Sequence, residues 1–407
     1  MRQEGKKLVM NMKTVDPIAF LWDRSNIWGL MAYRSFRALG IHFSLVTADD
    51  VVAGGLEGFK VLFVPGGWAT EKLARLGDKG AGAIAEFVRA GGAYLGVCGG
   101  AGLALNEPDG LSLVSVKRRK GLSNFSGPIM TEWEAGAAIA GAPGRILAPV
   151  WWPGHFDIEG AEDIEVFSRY LEPAAGFMVS DLFCDDIGLG PAGYPVWEKA
   201  YGMRLDPGEL YKAPCVLQAR VGAGKALLSY LHLETPGFPQ ANGALVGLLG
   251  KLAGQKIVAE QRTEAPALEL SNRPLGRLGE VTASFFQFGQ RNHLWSDRNS
   301  WLIKWRRGIR GIEYCALMKL GEEIARRMAD GAPADYVEEL EDFFQRARKL
   351  LMAEKLFMAQ GMLQPYKCPD PLLQNMRVEL FGEERRPGGL YSALMERTES
   401  LLLACLA

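Results

Sequence analysis

The sequence predicts an α/β protein: a mostly parallel sheet with flanking helices, followed by an all-α C-terminal domain. Three observations carry this. Up to residue 105, short apolar runs alternate with segments of helical period. Those runs are apolar throughout rather than at every second residue, as in strands buried on both faces. Beyond about residue 276 the strand signals fade and long amphipathic segments replace them.

Taken in order, PIAFLWD (17–23) is a first strand ending in a polar residue. SNIWGLMAYRSFRALG (25–40) follows as a helix with a glycine stop. IHFSLVTADD (41–50) holds a second strand, and FKVLFVPGG (59–67) a third that runs into a glycine turn. GAGAIAEFVRAGG (80–92) is a helix closed by glycine. AYLGVCGG (93–100) is a fourth strand with its turn. Residues 110 to 215 read as short strands and loops. Two strands joined by a Gly-Ala-Gly turn follow at 213–235, and GALVGLLGKLAG (243–254) closes the unit as a helix. The polar, proline-bearing EQRTEAPALELSNRP reads as a linker. The expected organisation is therefore a tail at 1–15, an α/β domain at 16–258, a linker at 259–275 and a helical domain at 276–407. Within the last, residues 301–331, 335–361 and 390–407 read as amphipathic helices.

Bulk properties exclude several classes. The chain has 46 basic and 47 acidic residues among 407, so nothing draws it generally toward nucleic acid or anionic lipid. No run of about 18 apolar residues predicts a membrane span, and the N-terminus does not read as a signal peptide. The six cysteines are scattered, with neither a CxxC pair nor zinc spacing, which fits a cytoplasmic location and predicts no metal. No G-x-G-x-x-G loop joins a predicted strand to a predicted helix, so no dinucleotide or other cofactor is expected.

The informative stretch is GGAYLGVCGGAGLAL (91–105). A strand ends at Val97 and a helix begins just after Gly100, so Cys98 sits at a sharp turn between glycines. This is the construction of the G-x-S-x-G elbow with cysteine as nucleophile. A thiol at a helix N-terminus also gains from the helix dipole, which favours thiolate. The preceding Val64-Pro65-Gly66-Gly67 turn would lie beside it in a parallel sheet. Amides of Gly67 and Gly99 could then form an oxyanion hole. A thiol nucleophile wants a base and an orienting acid, and His232 with Glu234, two residues apart after a strand, offers both. The competing readings are a packed structural cysteine, a surface ion pair and a plain tight turn.

These residues resemble the class I glutamine amidotransferase-like superfamily. FVPGG, a helix ending in VRAGG, and YLGVCGGAG look most like the N-terminal domain of biotin–protein ligases. The resemblance covers roughly residues 16 to 255. It implies a flavodoxin-like sheet and a Cys98–His232–Glu234 triad, with Cys98 as nucleophile, His232 as base and Glu234 as orienter. The thiolate would attack an amide, release ammonia and pass through a thioester, with Gly67 and Gly99 on the oxyanion. The family's usual H-P-E is H-L-E here, through Leu233. No glycine- and arginine-rich adenylate loop accompanies it, so biotin transfer is not expected of these residues.

Further substrate-cleft candidates are Gly66, Asp23, and Trp152 and His155 of the WWPGH cluster. Packing and helix capping by Ser25 or Asn26 are the plainer readings of these positions. Asp185 and Asp186 read as loop residues. Lys304, Arg306, Arg307 and Arg310 read as a solvated face paired with later acids. The expected activity is a cysteine-dependent amidase or amidotransferase-like hydrolase acting on a small amide or ester. The alternative is a non-catalytic binding or regulatory module of the same shape, with the helical domain meeting a protein partner.

Overall fold

The structure, a computed structural model, describes residues 16–108, 110–119, 125–134, 144–189, 193–257, 276–328, 331–361, 370–383 and 388–406. The tail at 1–15, the whole of the predicted linker and Cys368 lie outside these.

The strands are β1 (Ile18–Leu21), β2 (Ser44–Val46), β3 (Val61–Val64), β4 (Ala93–Val97), β5 (Lys117–Arg118), β6 (Phe125–Trp133), β7 (Arg145–Trp151), β8 (Phe156–Asp157), β9 (Ile164–Pro173), β10 (Met178–Val179), β11 (Leu182–Phe183), β12 (Pro214–Val221), β13 (Gly224–Ser229), β14 (Trp295–Asp297) and β15 (Ile303–Trp305). The helices are α1 (Asn26–Ala38), α2 (Ala48–Val52), α3 (Ala69–Arg89), α4 (Gly99–Leu103), α5 (Cys184–Ile187), α6 (Gly193–Tyr201), α7 (Pro239–Ala253), α8 (Gly276–Arg291), α9 (Gly311–Arg327), α10 (Ala334–Ala359), α11 (Pro371–Phe381) and α12 (Gly389–Leu406).

The main sheet runs β11-β10-β6-β9-β12-β13-β4-β3-β1-β2, with β7 also on β6. Its five strands from β13 to β2 are parallel, with Val97 beside Ser229 and Phe20 beside Phe63. Here β1, β3 and β4 are buried at every position, which is why their sequences are apolar without alternation. An antiparallel extension begins at the β12–β13 hairpin and continues through β9 and β6. β6 and β9 are longer than the short strands expected there. Pro128 and Pro173 lie within them and mask the strand signal.

The C-terminal region is helical, with one exception that corrects the expected helix over 301–331. The Asn299 side chain accepts from the amides of Trp301 at 2.9 Å and Leu302 at 2.8 Å. That local turn outcompetes a helix and folds β14 against β15. Helix α9 starts only at Gly311, where the Trp305 ring lies so close that an added Cβ would come within 2.0 Å of it. The basic segment is a solvated face only in part: Arg306 is exposed and Arg310 pairs with Glu313, but the other two side chains are engaged. Lys304 covers the Phe183 ring, and Arg307 donates its guanidinium to Tyr201 O and its amide to Asp181.

One apolar core runs from the sheet into the helices. Across it, Arg34 of α1 pairs with Glu323 of α9, and Arg298 donates to Ser126 Oγ and O, each at 2.9 Å. No helix among the described residues is long and apolar enough to cross a membrane.

Candidate active site

β4 ends at Val97 and delivers Cys98 into a backbone conformation that side-chain-bearing residues avoid, φ 51° and ψ −108°. Such strain costs about 1–3 kcal/mol and persists only where the surroundings impose it. They do so here: the Cys98 amide donates to Ser229 O at 2.7 Å, and Cys98 O accepts from Gly102 N at 2.9 Å. Gly99 is required by close approach, since a Cβ there would stand 1.8 Å from Gly67 O. Cys98 is half-buried, and its sulfur lies 3.9 Å from the Trp151 carbonyl.

Beside β4, the chain leaving β13 carries His232 and Glu234, both with fully buried side chains. His232 Nδ1 meets Glu234 Oε1 at 2.7 Å. They face each other across a turn, with Thr235 N donating to His232 O at 3.0 Å, rather than along an extended strand. Asn242 of α7 ties this turn down by donating to Leu233 O and Thr235 O. Burial disfavours the imidazolium. The charge of Glu234 first, then that of Cys98, with the hydrogen bond to Glu234, outweighs it and raises the His232 pKa to about 10. Among the described residues Nε2 meets no hydrogen-bond partner, and Cys98 is among the groups whose charge acts on the ring. The Trp28 ring covers the imidazole at 5.0 Å between centroids.

The structure therefore brings Cys98, Gly67, Gly99, His232 and Glu234 to one place. Gly67, at φ 113°, packs its Cα on the Arg24 carbonyl, where a Cβ would come within 2.2 Å. Gly66 lies under the Trp28 ring. Trp152, at φ 57°, stands on the rim with its ring edge toward Trp28 and its face stacked on Trp305 of the helical region. His155 is less central. Burial first, then Arg119, lowers its pKa, and its ionisable neighbours are Arg119, Glu209 and Asp157 rather than Cys98. Asp23 is engaged structurally, its carboxylate accepting from the Ala48 amide, with Arg75 at 3.8 Å. Neither Ser25 nor Asn26 caps α1. The Ser25 side chain makes no cap bond, and the amide of Asn26 is met instead by Glu399 of α12.

Several residues here were not singled out by sequence: Trp28, Lys72 and Glu399. Lys72 carried one signal, for it stands one helical turn before the buried Leu76, ahead of the break in α3 at Gly77. Glu399 sits on the buried face of α12 with Met395 and Leu402. A charge on an apolar stripe marks a position with a specific partner. Among the described residues, no three His, Cys, Asp or Glu side chains gather to hold a metal.

The class these features define is a wound α/β protein with a thiol elbow at the carboxyl ends of its parallel strands. The model of the family described as biotin-protein ligase, N terminal, matches residues 56–107. That stretch holds Gly66, Gly67, Cys98 and Gly99 and ends before His232. The resemblance to this family over residues 56–107 is thereby a finding. No curated protein matches the sequence. Among solved structures, a protein described as a GMP synthase subunit from Thermoplasma acidophilum is 15% identical, covering 58% of this chain and 94% of that one, with a TM-score of 0.38. PurLQS from Thermotoga maritima is 16% identical, covering 58% of this chain and 100% of that one, at 0.38. The β-galactosidase from Bacillus circulans sp. alkalophilus is 13% identical, covering 59% of this chain and 31% of that enzyme, at 0.35.

Proposed function

We propose that this protein is a cysteine-dependent amidase or amidotransferase-like hydrolase acting on a small amide or ester. One observation carries the reading: a strained, partly exposed Cys98 beside a fully buried His232–Glu234 pair. Backbone strain, a reachable sulfur and an oriented imidazole are what covalent catalysis by a thiol needs. Cys98 Sγ, its proton passed to His232, attacks the carbonyl carbon. The amides of Gly67 and Gly99 take the negative oxygen, which is worth about 3 kcal/mol per donor. The C–N or C–O bond then breaks, and the imidazolium returns the proton to the leaving nitrogen or oxygen. Water attacks the thioester carbonyl, losing its proton to His232, and the free acid leaves as Cys98 regains its hydrogen. Glu234 holds the imidazole in the required tautomer throughout.

This chemistry needs neither metal nor cofactor. Biotin transfer is no part of the reading, although the family match falls on the elbow. A partner protein that used released ammonia would dock through the helical region. Neither nucleic acid nor membrane enters the proposal, and the five described cysteines, all unpaired, suit a cytoplasmic setting.

The test is iodoacetamide alkylation read cysteine by cysteine by mass spectrometry at pH 7, in wild type and His232→Ala, beside ammonia release from glutamine and other small amides. Cys98 is expected to react well ahead of the other five cysteines and to lose that lead without His232. A slow Cys98 indifferent to His232 would overturn the reading and favour a ligand-binding module of the same shape.

A further inference from the structure

The loop that follows β1 is gripped by side chains far away in sequence. Glu399, in α12, accepts from the Asn26 amide at 2.6 Å and from the Arg24 amide at 3.2 Å. Lys72, in α3, donates to Ser25 Oγ at 2.6 Å and to Asp23 O at 3.0 Å. Trp22 Nε1 donates to Glu399 O at 3.0 Å, and the Arg24 guanidinium pairs with Glu396 at 2.7 Å. Both Lys72 and Glu399 are buried, so neither is a casual surface contact.

The backbone of this loop is strained. Arg24 and Asn26 have φ of 53° and 50°, which side-chain-bearing residues adopt only where something imposes it. With Ser25 between them, the two amides turn toward a single point, and the Glu399 carboxylate occupies it. The other face of the loop supports the oxyanion turn. The Arg24 carbonyl packs directly on Gly67, and the Gly67 carbonyl packs directly on Gly99, next to Cys98. Backbone touches backbone along this whole line, with no side chain between to absorb a shift.

We infer that Glu399 and Lys72 are positioning residues of the Cys98 site: the C-terminal helix fixes the β1 loop, and through it the amide of Gly67. The inference rests on the reading of Cys98 as nucleophile. A displacement of about 1 Å in a group that meets the transition state can cost a hundredfold in rate. Alkylation of a thiol forms no oxyanion and so bypasses Gly67. The two reactions therefore report separately on the nucleophile and on the hole.

The test uses the full chain, with 4-nitrophenyl acetate as the ester and Cys98→Ala as the blank. Glu399→Leu, Glu399→Gln and Lys72→Met are compared with wild type by Cys98 alkylation rate, by kcat and KM for the ester, and by circular dichroism. Glu399→Leu is expected to lower kcat about tenfold or more with KM nearly unchanged, while alkylation stays within about twofold of wild type. Glu399→Gln, which keeps one acceptor oxygen, is expected to recover part of that loss. If Glu399→Leu does not fold, Glu399→Gln and Lys72→Met carry the test with smaller losses of kcat. A reactive Cys98 with kcat unchanged in the folded variants overturns this inference alone. An inert Cys98 in the wild type overturns the nucleophile reading, and this inference with it.

Discussion

The molecule buries two groups of charged side chains, and they differ in what surrounds them. One is His232 and Glu234 behind Cys98. The other lies among the C-terminal helices, where Arg377 donates to Glu354 at 2.8 Å and Arg310 pairs with Glu313 at 3.2 Å, with buried Tyr314 nearby. Burial raises the Glu354 pKa to about 7 against the pull of Arg377, and raises Glu313 likewise. By charge and burial alone the two groups look alike, and each leaves a carboxylate oxygen without a partner. The carboxylates of the helical group sit on regular helices. The first lies beside a strained backbone and a half-buried cysteine. Buried charge marks a specific contact; strain beside a reachable reactive atom marks a place where something is done.

The sharpest way to break this comparison is to cut each group at its centre. Cys98→Ala is expected to lower turnover by on the order of 10⁴-fold with the melting temperature nearly unchanged. Glu354→Ala is expected to do the reverse. Removing one partner of a buried ion pair typically destabilises by about 3–5 kcal/mol, and the folded variant should turn over as wild type does. Denaturant titrations and rates on both proteins check this, and a Glu354 variant that folded normally but lost kcat would erase the distinction.

A smaller effect follows from the His232 pKa, raised to about 10. A base whose folded pKa lies above its unfolded value stabilises fully below the unfolded pKa, near 6.5, and that contribution is lost as pH rises through about 10. Glu234→Gln should therefore melt below wild type at pH 6, with the gap closing toward pH 10. A gap that stayed constant or widened with pH would mean that the imidazole is not held charged by its carboxylate. The smallest effect concerns the rim. Trp305→Ala removes the ring stacked on Trp152 at 5.7 Å. Aromatic pairs contribute about 0.5–1.5 kcal/mol, so KM for a 4-nitrophenyl ester should rise about two- to tenfold at constant kcat. An unchanged KM would place the helical region outside the substrate's path.

The parts of the site that sequence revealed are those in which local sterics dictate residue type. Gly99 and Gly67 have backbone carbonyls where a Cβ would be, so those positions are spelled in glycine beside the cysteine they frame. His232 and Glu234 are two residues apart, and the turn they occupy brings them as close as a strand would have. The parallel strands were legible because burial on both faces removes polar residues from them. What stayed hidden depends on convergence of distant segments. Nothing near Asn26 tells that its amide is met by a residue of the last helix, or near Trp152 that Trp305 will lie upon it. The hairpin at 295–305 was missed because a single asparagine side chain reverses the chain inside an otherwise helix-compatible stretch.

The clasp on the β1 loop also bears on how the protein is made. Asn26 and Glu399 are 373 positions apart, so a ribosome finishes the elbow and the histidine turn long before α12 emerges. At ordinary elongation rates the interval from Cys98 to Glu399 is on the order of tens of seconds. Throughout that interval the nascent chain carries its thiol without the helix that closes the loop behind it. Chains truncated before α12 would expose the same sulfur over an unsecured turn, so synthesis itself sets the order in which the thiol and its support appear.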